Sequence, residues 1–207
     1  MIKKTVIIFL AVMLLMTSGC TGANNKGKIN DKDGKDIIEA TETPGQKDKP
    51  GQNVESNPTL GGISLGDTSE KVKSALGDKY SETEESDALG AFGEDITVWN
   101  YNDGISVSIG KTSGKVLRVV ATSPDYKTDL GVKVGDDAET ALKTYRDKFE
   151  EAKSRQNNET LAGWFLTENG TVVILDFDKS DDSSVNADVK PDSKVEEITL
   201  SKWEYYD

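Results

Sequence analysis

Histidine is absent from this 207-residue chain, and cysteine occurs once. The first absence removes the commonest general base and the commonest metal ligand. The second rules out an internal disulfide, and it leaves no thiolate set for zinc or for thiol catalysis beyond residue 20. Aromatic residues make up only 7% of the chain. Long apolar runs are missing except at the very start. What remains for catalysis is carboxylates, as in glycoside hydrolysis, which needs a deep cleft that a small domain struggles to build. No cofactor motif and no metal-ligand set is evident, so no cofactor and no metal is expected.

The one apolar run carries the strongest signal. Met1 to Cys20 reads MIKKTVIIFLAVMLLMTSGC. Lys3 and Lys4 form a basic start, Thr5 to Met16 are almost all apolar, and Thr17, Ser18 and Gly19 are small. This order reads as a secretory signal rather than a permanent membrane helix. Its end resembles a bacterial lipobox, with Thr17 standing where Leu is commonest. That resemblance implies cleavage after residue 19, lipid on Cys20, and a place on the outer face of a bacterial membrane. Two or more acyl chains anchor stably, at about 0.8 kcal/mol per buried CH₂.

Residues 21–58 are polar, hold three of the five prolines and contain no aromatic residue. Such a stretch buries too little to offset its ordering entropy, so a disordered tether is expected. Its 38 residues reach roughly 35 Å. With the signal and tether set aside, residues 59–207 hold 17 basic and 30 acidic groups, a net of −13. That charge disfavours nucleic acid and anionic headgroups as partners.

The 149 remaining residues repeat weakly at a spacing of 69. Gly62-Ile-Ser-Leu-Gly66-Asp67 aligns with Gly131-Val-Lys-Val-Gly135-Asp136, and Glu70 with Glu139. Self-similarity of this kind bears on the fold before any single element does. Asp67 and Asp136 suit helix N-caps, with Glu70 and Glu139 completing capping boxes. Val72, Ala75, Leu76 and Tyr80 then follow helical spacing, as do Ala141, Leu142, Tyr145 and Phe149. In the first unit, strands are expected over 96–101, 105–110 and 116–122, with Asn102-Asp103-Gly104 as a hairpin turn. In the second they are expected over 161–168, 171–178 and 195–205. Alternation sends Ile105, Val107 and Ile109 to one face, and Leu117, Val119 and Ala121 likewise. The expected fold is α+β: two tandem two-layer repeats, 59–128 and 129–207, each a helix followed by a three- to four-stranded antiparallel meander.

The pattern Ile63-Ser-Leu65-Gly66-Asp67-Thr68-Ser-Glu70-Lys-Val72 and the meander after it resemble the small repeat of β-lactamase inhibitory protein. They also resemble the SmpA/OmlA-type envelope lipoproteins. The resemblance covers Gly62–Thr122 and Gly131–Trp203. It implies a protein-binding module whose exposed sheet face can form a concave surface, and the missing catalytic residues make a non-enzymatic role the expectation. The cysteines that form the inhibitor's disulfides are missing here. Trp99, Tyr101, Trp203, Tyr205 and Tyr206 are candidates for a recognition patch, since Trp and Tyr dominate interface hot spots. Trp203 and Tyr205 stand out because they extend past the apolar part of the last strand. The acidic loop 179–194 follows Asp176, but a calcium loop read from Asp176 has Asp181 at position six and Ala187 at position twelve, where Gly and Glu belong. Two functions are therefore expected: binding or scaffolding of an envelope protein partner, or sensing of a small ligand or cell-wall fragment in a groove between the repeats.

Overall fold

The computed structural model describes residues 57–206 apart from 168 and 180–182. The signal, Cys20 and most of the tether lie outside the described residues. The elements are α1 (Ser69–Leu76), β1 (Ser81–Glu85), β2 (Ile96–Tyr101), β3 (Ile105–Gly110) and β4 (Val116–Ala121). There follow α2 (Ala138–Arg146), β5 (Glu151–Lys153), β6 (Thr160–Leu166), β7 (Thr171–Asp176), β8 (Glu197–Lys202) and a closing 3₁₀ turn, Trp203–Tyr206.

The expected pair of two-layer α+β repeats is not what forms. All eight strands join one antiparallel sheet in the order β1-β2-β3-β4-β8-β7-β6-β5. The chain is thus more β-rich than the expectation, with two short helices among the described residues. The joint is β4 on β8, where Val119 faces Leu200, Val120 faces Thr199 and Ala121 faces Ile198. Two separate meanders would each have left an apolar last strand with an open edge, and pairing removes both edges.

The edges that remain are short or charged. β1 is Ser81-Glu-Thr-Glu-Glu85 and is exposed along its whole length. At the far side, β5 has only three residues. Neither shows apolar alternation, so neither was expected from the sequence.

Local bonds recur at the same 69-residue spacing. Asp67 is not the N-cap of α1. Its carboxylate accepts the Ser64 N–H at 2.9 Å, closing the preceding turn, and Thr68 caps the helix instead. Asp136 accepts the Lys133 N–H at 2.9 Å in the same manner, and Asp137 takes the N-cap position. Gly66 and Gly135 lie in the left-handed region, at φ +83° and +91°. Their N–H groups donate at 2.8 Å to Val116 and Val195 respectively.

Both helices pack on one face of the sheet. Val72 of α1 and Ala138, Ala141, Leu142 and Tyr145 of α2 join Ile105, Val107, Ile109, Val119, Ala121, Phe165, Val173, Leu175, Ile198 and Leu200 in one core. One residue departs from the expected alternation. A bulge between Ser108 and Ile109 sets Ile109 opposite Val116, so Val116 enters the core in place of Leu117.

The second face is not the solvated, concave surface that the resemblance implies. Ala152, Trp164, Val172 and Ile174 form a second buried cluster there, with Leu161, Leu166 and Trp203 packed on it. Consecutive residues of β7 are buried throughout, which marks a strand covered on both faces.

Candidate functional site

The last strand ends at Lys202, earlier than its sequence suggests. Trp203 N–H then bonds to the Gly170 carbonyl at 3.0 Å, and the 3₁₀ turn carries its aromatic side chains across the second face. Trp203 and Tyr206 both meet Trp164 edge-on, with centroids 6.0 and 4.8 Å apart. Trp164 itself is buried and donates its indole N–H to the Ser184 carbonyl at 2.7 Å.

Between this aromatic turn, the β5–β6 turn and the loop at 185–187 lies an open groove of about 820 Å³. Arg155, Gln156, Asn157, Glu159 and Thr160 line one wall. Trp203, Tyr206, Leu161 and Val185 supply its apolar surface. The Arg155 guanidinium sits 5.0 Å from the Trp203 ring centroid. Val185 and Tyr206 are two of the three large apolar side chains exposed among the described residues. Exposed apolar groups gathered in one concavity with a few polar groups are the usual anatomy of a binding site.

One side of the groove is fastened by Asn186. Its side chain accepts the Phe177 N–H at 2.7 Å and donates to the carbonyls of Ala162 and Leu175 at 2.8 and 2.9 Å. Gly163, at φ +86°, directly precedes Trp164, where the β6–β7 ladder begins opposite Ile174. A Cβ at residue 163 would stand 2.5 Å from the Leu175 carbonyl oxygen.

Two other cavities lie elsewhere on the fold. One, of about 580 Å³, lies between α2 and residues 186–191. Its cations are already engaged: Lys143 with Asp147, Arg146 with Glu151, and Lys190 with Asp188. The other, of about 240 Å³, lies where the two halves meet, lined by Leu65, Val116, Leu117, Lys202 and Tyr205. It falls below the roughly 300 Å³ at which small-molecule sites begin.

The aromatic residues singled out in the sequence separate into three places. Trp99 and Tyr101 are core residues, 7% and 6% exposed, and are removed from any surface patch. Their β2 positions face the helices, where Trp99 stacks on Tyr80 at 4.2 Å and the Tyr101 hydroxyl donates to the Gly77 carbonyl at 3.1 Å. Burial and the nearby Tyr80 and Asp78 raise the Tyr101 pKa to about 12. Tyr205 turns toward Phe92 and the small recess. Trp203 lines the open groove with Tyr206. Sequence reasoning missed Trp164, Leu161 and Val185. The available signal was Val185 itself, an apolar residue in an otherwise polar loop.

Glu150 and Glu151 line a separate cavity of about 540 Å³ beside β5. Glu159 is the one acid lining the groove, and among the described residues no cluster of three or more candidate ligands is disposed to hold a metal. Asp176 is buried at the end of β7, opposite Glu197, and burial raises its pKa above the ordinary 3.8. Ser64 and Ser108 have structural roles. Gly62-Ile-Ser64-Leu-Gly66 places the Ser64 hydroxyl on the Pro58 carbonyl at 3.2 Å, in the turn before α1. Ser108-Ile-Gly-Lys111 places Ser108 in the buried second face and Lys111 on Glu84 at 3.0 Å.

No family model and no curated protein matches this chain. Among solved structures, the chain is similar to an extracellular protein containing an SCP domain from Bacillus anthracis str. Ames, with 12% identity and a TM-score of 0.43. The match covers 78% of this chain and 51% of that one, so the chain spans about half the length of that protein.

Proposed function

We propose that this protein is a lipid-anchored, extracytoplasmic binding module that engages a component of the bacterial envelope through the groove beside Trp203. The open groove, with Trp203, Tyr206 and Val185 at its apolar surface, carries the reading. A binding role rather than a catalytic one is supported by a chain without histidine, whose single cysteine stands at the end of the signal. The anchor is supported by the lipobox-like order of Thr17-Ser-Gly-Cys20 behind a short apolar run. The acidic balance of residues 59–207 favours an uncharged or basic partner over nucleic acid.

Two measurements test this. In the source bacterium, the parent protein should stay with washed membranes and a Cys20→Ser variant should not form the lipidated species seen by mass spectrometry. Purified envelope added to the full chain should slow hydrogen exchange at 155–161 and 203–206. Protection confined to other segments, or none, would remove the groove from the reading.

A further inference from the structure

We propose that the groove beside Trp203 takes an uncharged glycan chain, an inference that rests on the binding-module reading. Several main-chain groups around the groove are already bonded. Ser154 N–H donates to the Glu159 carbonyl at 2.8 Å, and Asn158 N–H to the Ser154 carbonyl at 2.9 Å. Gln156 N–H goes to the Ser154 hydroxyl and Glu159 N–H to the Asn157 side chain. The Ala162 and Leu175 carbonyls are taken by Asn186. A peptide that binds by strand addition needs free N–H and C=O groups along an open edge. The edge strand β5 stops at Lys153, before Ser154, the first residue of the groove.

What projects into the groove is side chain. Gln156 and Thr160 are exposed there, beside the rings of Trp203 and Tyr206, while the Asn157 amide is taken up by Glu159. A pyranose ring presents an apolar C–H face and a rim of hydroxyls that both donate and accept. Aromatic surface suits the first. Amide and hydroxyl side chains, which also donate and accept, suit the second. A sugar polymer therefore finds both halves of its chemistry in this groove.

Charge selects among glycans. Arg155 and Glu159 balance each other in the lining. The domain around them nets −13, which repels polyanions. Uronic-acid and phosphate-bearing polymers are thereby disfavoured, and neutral hexose or N-acetylhexosamine chains remain. The volume of about 820 Å³ lies within the span of roughly 300–1,000 Å³ usual for ligand sites.

The test uses the full lipidated chain in a detergent without a sugar headgroup. It is titrated by calorimetry with hexamers of N-acetylglucosamine and of β-1,4-glucose, with polygalacturonate as the anionic control. At least one neutral hexamer should bind, and Trp203→Ala should weaken it by about tenfold or more. Gln156→Ala, an exposed change without packing consequences, should weaken it several-fold at an unchanged unfolding midpoint. Binding of polygalacturonate alone, or neutral binding untouched by both variants, overturns the proposal. If neither hexamer binds but envelope still protects 155–161 and 203–206, the glycan is wrong and the binding module stands. If that protection is also absent, both fall.

Discussion

The ring of Phe92 meets that of Tyr205 edge-on, with centroids 4.9 Å apart and planes at 61°. Phe92 belongs to the loop between β1 and β2, and Tyr205 to the closing 3₁₀ turn. The Arg118 guanidinium lies 5.3 Å from the same Phe92 ring. These contacts fasten the end of the chain to the half of the sheet that it does not belong to in sequence. Tyr205→Ala should therefore cost about 1–2 kcal/mol of stability and leave ligand binding intact. Trp203→Ala should weaken binding. Urea unfolding and calorimetry on the two variants separate these effects.

Trp99 is a packing residue despite its type. Its ring stacks on Tyr80 and has the Lys73 ammonium 5.2 Å from its centroid. Trp99→Ala should destabilise the protein by about 3–5 kcal/mol, read as a lower urea midpoint. At temperatures where the variant remains folded, its affinity should match the parent.

Asn186 donates to two carbonyls and accepts one N–H, so its replacements are not equivalent. Asn186→Ala leaves these groups without their partner and should cost about 2 kcal/mol. Asn186→Asp keeps the acceptor but turns a carboxylate oxygen toward the carbonyls of Ala162 and Leu175. At pH 7 it should be less stable than Asn186→Ala. As acid protonates the introduced carboxyl, a donor returns and the gap should narrow. Thermal unfolding at pH 7 and pH 4 measures both effects.

Asp176 reverses the usual acid sensitivity of a carboxylate. Burial raises its folded-state pKa, with Asp178 and Glu197 adding like charge. The folded chain then holds this proton more tightly than the unfolded one. Its contribution to stability falls as pH rises through the raised pKa and is recovered below the ordinary 3.8. Asp176→Asn keeps an oxygen for the Asp178 N–H, which Asp176 accepts at 3.0 Å. The variant should melt roughly 2 °C higher at pH 7, and the advantage should disappear in acid. An advantage that persists unchanged at low pH would assign the effect to packing.

Legibility followed apolar alternation. Ile105, Val107 and Ile109, then Val173 and Leu175, occupy the core face that their spacing indicates. The helices begin within a residue or two of the expected caps. Three features carried no such mark. β1 has no apolar residue, so only its pairing with β2 makes it a strand. The union of β4 with β8 joins positions whose pairing depends on both halves being folded. Trp203 follows a strand without a break in composition, yet its backbone leaves the sheet at Lys202. The groove was half visible for that reason: Trp203 stood out in the sequence, and its neighbours Trp164 and Leu161 read as ordinary strand residues.

The exposed acidic edge at β1 has a further consequence. Proteins fixed to one surface meet their own copies at high local density, where sheet edges readily join and propagate. Glu82 and Glu85 put like charges at that edge, while Glu84 is paired with Lys111, so two such edges approaching each other would be driven apart. If the proposed anchor fixes the chain to a surface, this edge would oppose pairing between neighbouring copies.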